Sequence, residues 1–475
     1  MVFSLLITAI LAIIAAKTLK EYLKRRHSNI PSANMGWPFI GETLSFVKAH
    51  PAFTLGDYLQ HHIAKFKLPL YGTVFWANIF GKWVIHSVDP ELNRFVVNNE
   101  MKMFKQGWPR SLSRLIGNNA LTISLGDAHK RRRAEVLNYL SGSRLESTFL
   151  RDMEQIASAH MESWRNREMV IATDETRKYA FYMIAKKALS MTPGSPETEK
   201  LMEALNDIYM GIGLIYVNLP GTRFRKALQS RAYVQEVIRQ KLEQRRLKDQ
   251  EDDDFLNYLI KDGTYSTEEM GDLVQNFIFG GNEVIGRTLA AAIYYLGTCP
   301  QACDQLREER LQVIRSKQQS GDSSLTLSDY RGMEFTQCVV NETLRLGTVS
   351  RFLHKVATAN IQYKGYVIPR GCTVIANISA MHLDPTEFKD PETFNPWRWL
   401  TPNGVKKSRS FMPFSGGARH CIGAELAKLE LMVFIHQLVT KYEWEFAQND
   451  PPMATPRLEF PNCLPIKIKA ISPKL

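Results

Sequence analysis

The stretch Phe411–Glu430, FMPFSGGARHCIGAELAKLE, determines what we expect of the whole chain. It places a single cysteine, Cys421, between a glycine-rich loop and an apolar stretch with helical periodicity. Gly417 and Gly423 allow the backbone to approach a flat ligand closely, where a Cβ would clash. Arg419 adds a cation two residues before the sulfur. Because Cys421 precedes a helix, unpaired backbone N–H groups there are expected to favour thiolate over thiol.

The fixed residues of this stretch carry a family resemblance. Phe414, Gly417, Arg419, Cys421 and Gly423 match the pattern F-x-x-G-x-R-x-C-x-G, which resembles the haem-binding signature of the cytochrome P450 superfamily. A lone cysteine is more often a buried core residue than a ligand. Five fixed residues that lead into an amphipathic helix favour the ligand instead. The resemblance implies a haem b cofactor whose iron is bound by the Cys421 thiolate.

Composition narrows the class of protein. The chain has 475 residues, of which 44% are hydrophobic and 23% charged, as expected of a globular protein with a sizeable core. The net charge of +12 allows nucleic acid, an anionic membrane surface or an acidic protein as partner. Basic residues are interleaved with acidic ones and no nucleic-acid motif is present, so we expect no nucleic-acid binding. The six cysteines form no disulfide framework, which indicates a reducing compartment.

The N-terminus predicts attachment to a membrane. Residues Val2–Ala16 are uncharged and mainly apolar, and a basic segment follows them. A cleaved signal peptide carries its positive charge before the apolar run, so we interpret residues 1–26 as an uncleaved anchor and 27–475 as the catalytic domain. Amphipathic attachment to the membrane surface is the alternative. The expected location is the endoplasmic reticulum membrane, with the catalytic domain on the cytosolic face.

The body of the chain predicts a mainly α protein with smaller β sheets. Residues 70–87 have the composition of two strands, and residues 361–376 read as a β-hairpin. Residues 127–299 are almost wholly helical in pattern, with an exposed charged loop near 251–254. A capping box, Ser266–Glu269, is expected to begin a helix of about thirty residues that ends at Cys299. The resemblance implies a single domain, triangular in outline, that encloses the haem.

Two glycines interrupt that long helix. Gly280 and Gly281 each cost roughly 1 kcal/mol relative to alanine, which suggests a close approach of another element or a local widening for a ligand. The family commonly has an acid followed by threonine after this point, and the threonine helps deliver protons during oxygen activation. Here Asn282-Glu283-Val284 supplies the acid but replaces threonine with valine. Thr288, one turn later, is expected to lie too far along the axis to substitute.

The resemblance also implies residues that hold the haem and stabilise the fold. His129, Arg133, Lys355 and Arg419 are candidate partners of the propionates. Glu342 and Arg345 match the E-x-x-R pair of the family, which is buried and joined by an arginine that corresponds to Arg398. Without the resemblance, the spacing of that pair would indicate a weak surface ion pair.

Within the superfamily, longer sequence segments resemble those of plant enzymes that oxidise sterols in brassinosteroid biosynthesis. Among these, they most resemble the steroid C-22 hydroxylases. They include Asn34–Glu42, Phe335–Leu346, Arg351–His354 and Phe394–Trp399. The implied function is sterol hydroxylation with O₂ and electrons from an NADPH-dependent reductase, by a monomer. The expected pocket walls are residues 108–124, 204–218, 277–284, 348–352 and 463–464.

Three alternatives remain at this point. A steroid oxidase of specialised metabolism would act at another carbon, such as C-16. A haem-thiolate isomerase or dehydratase would not activate oxygen, and such enzymes commonly lack the helix threonine. A haem sensor would bind a ligand without turnover.

Overall fold

The computed structural model describes the chain except for residues 1–18, 20, 24, 33–35, 38, 67–72, 109, 213–216, 249–251, 320–323, 401–407, 455–456 and 472–475. The predicted apolar anchor, Val2–Ala16, therefore lies outside the described residues. Among the helices that are described, none is both long and apolar enough to cross a membrane.

Helices make up most of the described chain, as the sequence predicts. In chain order they are α1 (Thr43–Phe46), α2 (Gly56–Phe66), α3 (Pro90–Asn98), α4 (Arg110–Ile116), α5 (Gly126–Tyr139), α6 (Gly142–Arg144), α7 (Leu150–Glu162), α8 (Ala172–Leu189) and α9 (Pro196–Gly211). They continue with α10 (Arg223–Lys248), α11 (Phe255–Asp262), α12 (Thr267–Gly281), α13 (Glu283–Gly297), α14 (Pro300–Gln319), α15 (Leu327–Gly332), α16 (Glu334–Gly347), α17 (Ile378–His382) and α18 (Ala424–Lys441). A π-helical turn spans Leu145–Phe149, and 3₁₀ turns span Pro396–Trp399 and Gly417–Arg419.

The strands form small sheets around this helical body. They are β1 (His50–Pro51), β2 (Val74–Ile79), β3 (Lys82–Ser87), β4 (Phe104–Gln106), β5 (Met169–Ile171), β6 (Phe352–Ala357), β7 (Ile361–Tyr363), β8 (Tyr366–Ile368), β9 (Thr373–Asn377), β10 (Tyr442–Phe446), β11 (Met453–Ala454), β12 (Leu458–Glu459) and β13 (Pro465–Ala470). The largest sheet has the order β2-β3-β9-β6-β4, with β3 and β9 parallel and the other pairs antiparallel. The mainly α fold class with smaller sheets is confirmed.

The predicted hairpins are present, with one correction. The two strands expected within 70–87 are β2 and β3, joined at Phe80-Gly81, where both residues have positive φ angles as a tight hairpin turn requires. Residues 361–368 form the hairpin β7–β8. Thr373–Asn377 leaves that hairpin and inserts between β3 and β6 in the large sheet. The strand β9 thereby ties the hairpin region to the N-terminal half.

The long helix is divided into two, which corrects the prediction of a single one. The capping box at its start is present, with Ser266 and Glu269 bonded reciprocally. At Asn282 the backbone leaves the helical region, with φ −104° and ψ −84°, and this residue separates α12 from α13. The preceding glycines lower helix propensity at that point, so the interruption is least costly there.

The loop predicted as exposed and charged is partly buried. Asp254 has 1% of its surface exposed and forms a two-pronged ion pair with Arg245 from α10. The same carboxylate accepts a hydrogen bond from the backbone N–H of Asn257 and so caps α11. Both oxygens of this buried carboxylate therefore have charged or N–H partners, which offset the cost of burying it.

The main core surrounds α8, α13 and α18, which are rich in fully buried residues. Buried side chains on α13 include Leu289, Ile293 and Leu296, and those on α18 include Val433, Phe434 and Leu438. Apolar residues on more than one side of a helix are typical of a helix buried within a large domain. This packing fixes α13 and the start of α18 on opposite walls of one internal cavity.

Candidate active site

A cavity of about 310 Å³ lies between α12, α13 and the loop that leads into α18. Cys421 lines it, together with mainly apolar side chains such as Phe277, Val284 and Leu353. The volume and the few polar groups are typical of a small-molecule site. Cys421 is far in the sequence from the two mid-helix glycines, Gly280 and Gly281, and the fold brings all three to the wall of this cavity.

The loop before Cys421 is held in an irregular conformation. Ser415 and Gly417 have φ angles of +58° and +62°, in the left-handed region. A Cβ on Gly417 would lie 2.5 Å from the carbonyl oxygen of Val97 at the end of α3, so only glycine fits this position. The backbone N–H of Cys421 then donates to the carbonyl of Phe414 at 3.0 Å. These contacts direct Cys421 into the cavity at the entrance to α18.

The electrostatics of Cys421 differ from the prediction that its position alone favours thiolate. Burial among protein atoms raises the pKa of the thiol, while the backbone N–H of Gly423 and the nearby charge of Arg133 oppose that increase. Cys421 nevertheless has solvent-accessible surface, because it lines the open cavity. A coordinating metal ion removes the thiol proton outright, so ligation would supply what the helix start does not.

Glycines leave space beside the sulfur and on the facing helix. A Cβ on Gly423, or on Gly280 at the opposite wall, would meet no atom within 4 Å, and both residues line the cavity. Gly281 serves a different purpose, because its Cβ would lie 2.6 Å from Cδ1 of Ile184 on α8. The two mid-helix glycines therefore account for both expected causes: one opens the cavity and the other permits close helix packing.

Arg419 belongs to a buried ion cluster that sequence reasoning did not predict in full. Its Nε lies 2.6 Å from Oε1 of Glu100, and Nη1 donates at 3.1 Å to the carbonyls of Leu121 and Thr122. Lys355 pairs with the other oxygen of Glu100. Burial lowers the pKa of both cations, and Glu100 opposes that effect. Arg419 lines the cavity, whereas Lys355 reaches the site only through Glu100.

His129 and Arg133 lie on α5 next to this cluster. His129 is buried, and the burial together with Arg419 and Arg133 lowers the pKa of its imidazole to about 4. It is therefore neutral at pH 7. Arg133 is half-buried and has its pKa lowered by desolvation, yet it makes no ion pair or hydrogen bond to any residue that the structure describes. A half-buried guanidinium without an anion is unusual and indicates a missing negative group.

The charge balance of this region fits haem. Three cations (Arg419, Lys355 and Arg133) face one carboxylate, Glu100, which leaves two positive charges uncompensated among the described residues. Haem carries two propionates, and charge-assisted pairs with buried arginine are the strong kind. Gly423 lines the same cavity as Cys421, and the absence of a side chain there would leave room for a flat group. The residues present therefore fit the group that the signature implies.

Glu342, Arg345 and Arg398 come together in a buried network. Arg345 donates to both oxygens of Glu342 at 2.9 and 2.7 Å, and Arg398 Nε donates to Oε1 at 3.0 Å. The indole N–H of Trp399 donates to Oε2 at 2.9 Å, and the backbone N–H of Asn395 completes the set at 3.0 Å. Both carboxylate oxygens are thus satisfied without water, which a buried pair needs in order to persist.

His382 connects that network to the cysteine loop and is another residue that sequence reasoning missed. Arg345 donates to the carbonyl of His382 at 2.8 Å, and Nδ1 of the ring lies 2.7 Å from Oγ1 of Thr348. The backbone N–H of Met412 donates to Nε2 at 3.0 Å. Burial lowers the pKa of this imidazole to about 3, so it stays neutral and can accept that bond. The E-x-x-R helix is thereby joined to the loop that presents Cys421.

The residues around the helix break are divided between the cavity and the protein interior. Val284 lines the cavity and has 38% of its surface exposed there. Asn282 and Glu283 are buried away from the lining, and Nε of Arg287 lies 3.3 Å from Oε2 of Glu283. Thr288 does line the cavity, but its hydroxyl donates to the carbonyl of Val284 at 2.7 Å. Of the two described residues, Val284 has no hydroxyl and that of Thr288 is bonded to the backbone.

Glu430 is a buried acid in the cavity wall that the sequence did not single out. It lies two turns into α18, and burial raises the pKa of its carboxyl well above the ordinary range. Oε1 has no hydrogen-bond partner, and the buried hydroxyl of Tyr179 on α8 is likewise without one. Burial, and to a lesser extent the nearby Glu430, raises the pKa of Tyr179. Burial in this setting favours the protonated, neutral carboxyl over the carboxylate.

The predicted pocket walls are correct in three of five places. Leu121, the Phe277–Val284 region and Thr348–Ser350 contribute lining residues. Cys463–Leu464 and the described part of 204–218 do not. Leu464 packs in the main core with its N–H bonded to Asp450, while Leu205 and Ile208 belong to the same core. Apolar character alone could not distinguish lining from core residues.

Comparison with known proteins identifies relatives over nearly the full length. The family model described as Cytochrome P450 matches residues 31–467. A cholesterol 22-hydroxylase of Paris polyphylla is 41% identical over 94% of this chain and 92% of its own length. A cholesterol 16,22-dihydroxylase of Trigonella foenum-graecum is 41% identical over 94% of both chains, and a steroid (22S)-hydroxylase of Brachypodium distachyon is 40% identical over 94% of this chain and 89% of its own.

A solved structure supports the same relationship at the level of the fold. The retinoic acid-bound cyanobacterial CYP120A1 superposes with a TM-score of 0.80 at 26% identity, over 94% of this chain and all of that one. The match extends across the helices and sheets described above.

Proposed function

The chain belongs to the cytochrome P450 family and is a haem-dependent monooxygenase, and from this premise we propose that it hydroxylates a steroid at side-chain carbon C-22. The single observation that carries the proposal is the cavity in which Cys421 faces an apolar space beside unpaired positive charge. The relatives that share about two residues in five with this chain are named for hydroxylation at C-22 of cholesterol or steroids. Oxidation at C-16 is the less supported alternative.

The residues of the chain have distinct tasks in this reaction. Cys421 would hold the haem iron as its thiolate ligand, and the haem would supply one-electron O₂ chemistry. Arg133 and Arg419 hold the propionates, with Glu100 and Lys355 fixing the orientation of Arg419. Neutral His129 packs beside them and can donate one hydrogen bond.

The cavity wall binds and orients the substrate. Phe277, Val284 and Val349 present apolar surface to a rigid hydrocarbon, which buries its own apolar area on binding. The largely apolar lining also excludes water from the reacting carbon, which limits side reactions. Because Thr348 is fixed by His382, the segment that follows α16 is a stable part of that wall.

We further propose an NADPH-dependent reductase as the electron donor and the endoplasmic reticulum membrane as the location. The net charge of +12 supports attraction to an acidic flavoprotein partner and to an anionic membrane surface. The apolar N-terminal run followed by basic residues supports an anchor with the catalytic domain on the cytosolic side. The protein acts as a monomer in this proposal.

The test is turnover of a sterol panel under ¹⁸O₂. The full-length protein is combined with a plant reductase and NADPH, and products are identified by mass spectrometry and NMR. We expect cholesterol or a closely related sterol to gain one ¹⁸O atom at C-22. A second hydroxyl at C-16 would extend the assignment, whereas hydroxylation only at C-16 would overturn the regiochemistry.

The control reaction omits NADPH. Product that forms without NADPH and without ¹⁸O would indicate an isomerase or dehydratase, and the monooxygenase proposal would then be wrong. Steroid-induced spectral shifts without product from any member of the panel would support the sensor alternative.

A further inference from the structure

A second, much smaller cavity lies apart from the Cys421 site. It encloses about 20 Å³ between α2 and the beginning of β6, and its lining includes Tyr58, His86, Arg351 and His50. A space of this size accommodates one water molecule or one small ion. It shares no lining residue with the larger cavity.

Arg351 brings an uncompensated positive charge to this space. The residue has 3% of its surface exposed, and its Nη1 donates to the carbonyl of Ala52 at 3.0 Å. Its Nε has no hydrogen-bond partner, and no carboxylate of the described residues lies within ion-pair distance of it. The nearby phenol of Tyr295 is neutral, because burial raises its pKa far above the ordinary range. A buried guanidinium in this condition requires an anion or several acceptors.

The other buried polar groups here add donors. His86 is fully buried, and neither ring nitrogen has a partner; burial lowers its pKa to about 3, so the ring is neutral with one N–H. The hydroxyl of Tyr58 is also without a partner. The two rings lie 5.6 Å apart between centroids. Together with Nε of Arg351, the cavity therefore has three unused donors.

Neither acidic side chain of this region forms an ion pair with Arg351. Asp57 contributes to the lining, but its exposed carboxylate lies 2.6 Å from Nζ of Lys48. Glu42 is near Tyr58 but does not line the cavity; its Oε1 pairs with His62 at 3.1 Å, and its buried Oε2 has no hydrogen-bond partner. His50 donates through Nδ1 toward the carbonyl of Lys48, and its buried Nε2 is without a partner. No described acid occupies the space in front of Arg351.

From the single cation, the three donors and the size of the space, we propose that this cavity binds a small monovalent anion of the size of chloride. The anion would accept from Arg351, Tyr58 and His86 and neutralise the guanidinium. Arg351 directly follows Thr348–Ser350, which line the Cys421 cavity, so the bound anion stabilises one wall of that cavity. This inference does not depend on the identity of the substrate.

The test measures thermal unfolding of the full-length haem protein in chloride at constant ionic strength. Gluconate, which is too large for the cavity, replaces chloride in the series. We expect the midpoint to rise by a few degrees and then saturate, as mass action requires for binding to the folded state only. A midpoint that does not change with chloride would mean that the site holds water, and the proposal would be overturned.

Variants locate the effect. Arg351→Gln and Tyr58→Phe should each abolish the chloride dependence, and Tyr58→Phe is informative even if Arg351→Gln fails to fold. Tyr265→Phe is the matched control, because Tyr265 also has a buried hydroxyl without a partner but lies outside this cavity, and it should keep the chloride response. Retention of the response in Tyr58→Phe and Arg351→Gln would place the anion elsewhere.

Bromide-soaked crystals should show anomalous density between Arg351 and Tyr58, and a water peak there would contradict the assignment.

Discussion

Val284 occupies the position at which the family resemblance leads one to expect a threonine. It faces the cavity at the start of α13, and a valine side chain cannot donate or relay a proton. Oε2 of Glu283 pairs with Arg287 while its Oε1 is buried without a partner, and the hydroxyl of Thr288 donates to a backbone carbonyl. Protons therefore have to enter through water or through a hydroxyl on the substrate.

We expect Val284→Thr to increase coupling, measured as product formed per NADPH consumed. The two side chains are similar in size, so the change adds a hydroxyl with little effect on packing. The gain should be largest for a sterol that lacks a hydroxyl near the reacting carbon. Val284→Ala, which adds space but no hydroxyl, is the control and should show no gain. Equal and high coupling in wild type and Val284→Thr on both kinds of sterol would show that proton delivery does not depend on this position.

Glu430 gives a prediction about stability against pH. Its pKa in the folded state is raised by burial, whereas an unfolded glutamate titrates near about 4.3. As pH rises above that value, only the unfolded state loses its proton, so this residue destabilises the fold increasingly with pH. Glu430→Gln removes the effect and should be more stable than wild type by up to about 1.4 kcal/mol per pH unit above pH 5. Urea unfolding at several pH values measures the difference.

The control for that prediction lies on the same helix. Glu425 is exposed on α18, and Glu425→Gln should change stability little at any pH. A constant difference between Glu430→Gln and wild type across the pH range would contradict the assignment of a protonated buried carboxyl.

At the residue scale, functional residues that belong to a contiguous sequence pattern could be predicted. Residues whose role depends on partners distant in the sequence could not. Cys421, Gly417 and Arg419 stand within five positions of one another and could be identified together. Glu100 has no local pattern, and its ion pairs reach across the chain to Lys355 and Arg419. Without an indication of which segments meet, a single buried carboxylate cannot be distinguished from a surface one.

At the scale of elements, the junction between α12 and α13 shows what local pattern can establish. The capping box at the start of α12 is a local interaction and was predicted correctly. The break at Asn282 was not predicted, although Gly280 and Gly281 mark its place. The role of each glycine depends on a neighbour in space: Ile184 for one and the open cavity for the other.

The two glycines provide a matched pair of variants. Gly281→Ala should lower the free energy of unfolding by about 1–3 kcal/mol, because the new Cβ overlaps the side chain of Ile184. Gly280→Ala meets no atom and should be neutral or stabilising by up to about 1 kcal/mol. It should instead alter substrate binding, since it narrows the cavity. Thermal unfolding and sterol-binding titrations distinguish the two. Equal stability of both variants would contradict the packing described for α8 against this junction.

At the scale of the whole molecule, composition and the order of patterns established a mainly α fold with small sheets. The arrangement of strands was less accessible, because β9 pairs with β3 across nearly three hundred residues of sequence. The ion network of Glu342 and Arg345 was predicted only through the family pattern, since their spacing alone is equally consistent with a surface pair.

Removal of residues 1–26 tests the proposed anchor. The truncated protein should leave the membrane fraction to a large extent and should still bind haem. The boundary is chosen because Ser28 is buried and accepts a hydrogen bond from the indole of Trp76 at 2.8 Å, so a longer deletion would disturb the fold. Sedimentation of the membrane fraction measures release of the truncated protein. The spectrum of the reduced carbon monoxide complex in the soluble fraction measures its haem content. Complete retention in the membrane would show that another surface provides the main attachment.

The most direct test of the account concerns Cys421 as the thiolate ligand of haem. The reduced carbon monoxide complex of the wild-type protein should show the red-shifted Soret band that thiolate ligation produces. Cys421→Ser should lose that band, whether or not haem is retained, whereas Cys463→Ser, at an exposed cysteine outside the cavity, should keep it. A Cys421→Ser protein that retains the red-shifted band would contradict the assignment of the ligand and of the active site built around it.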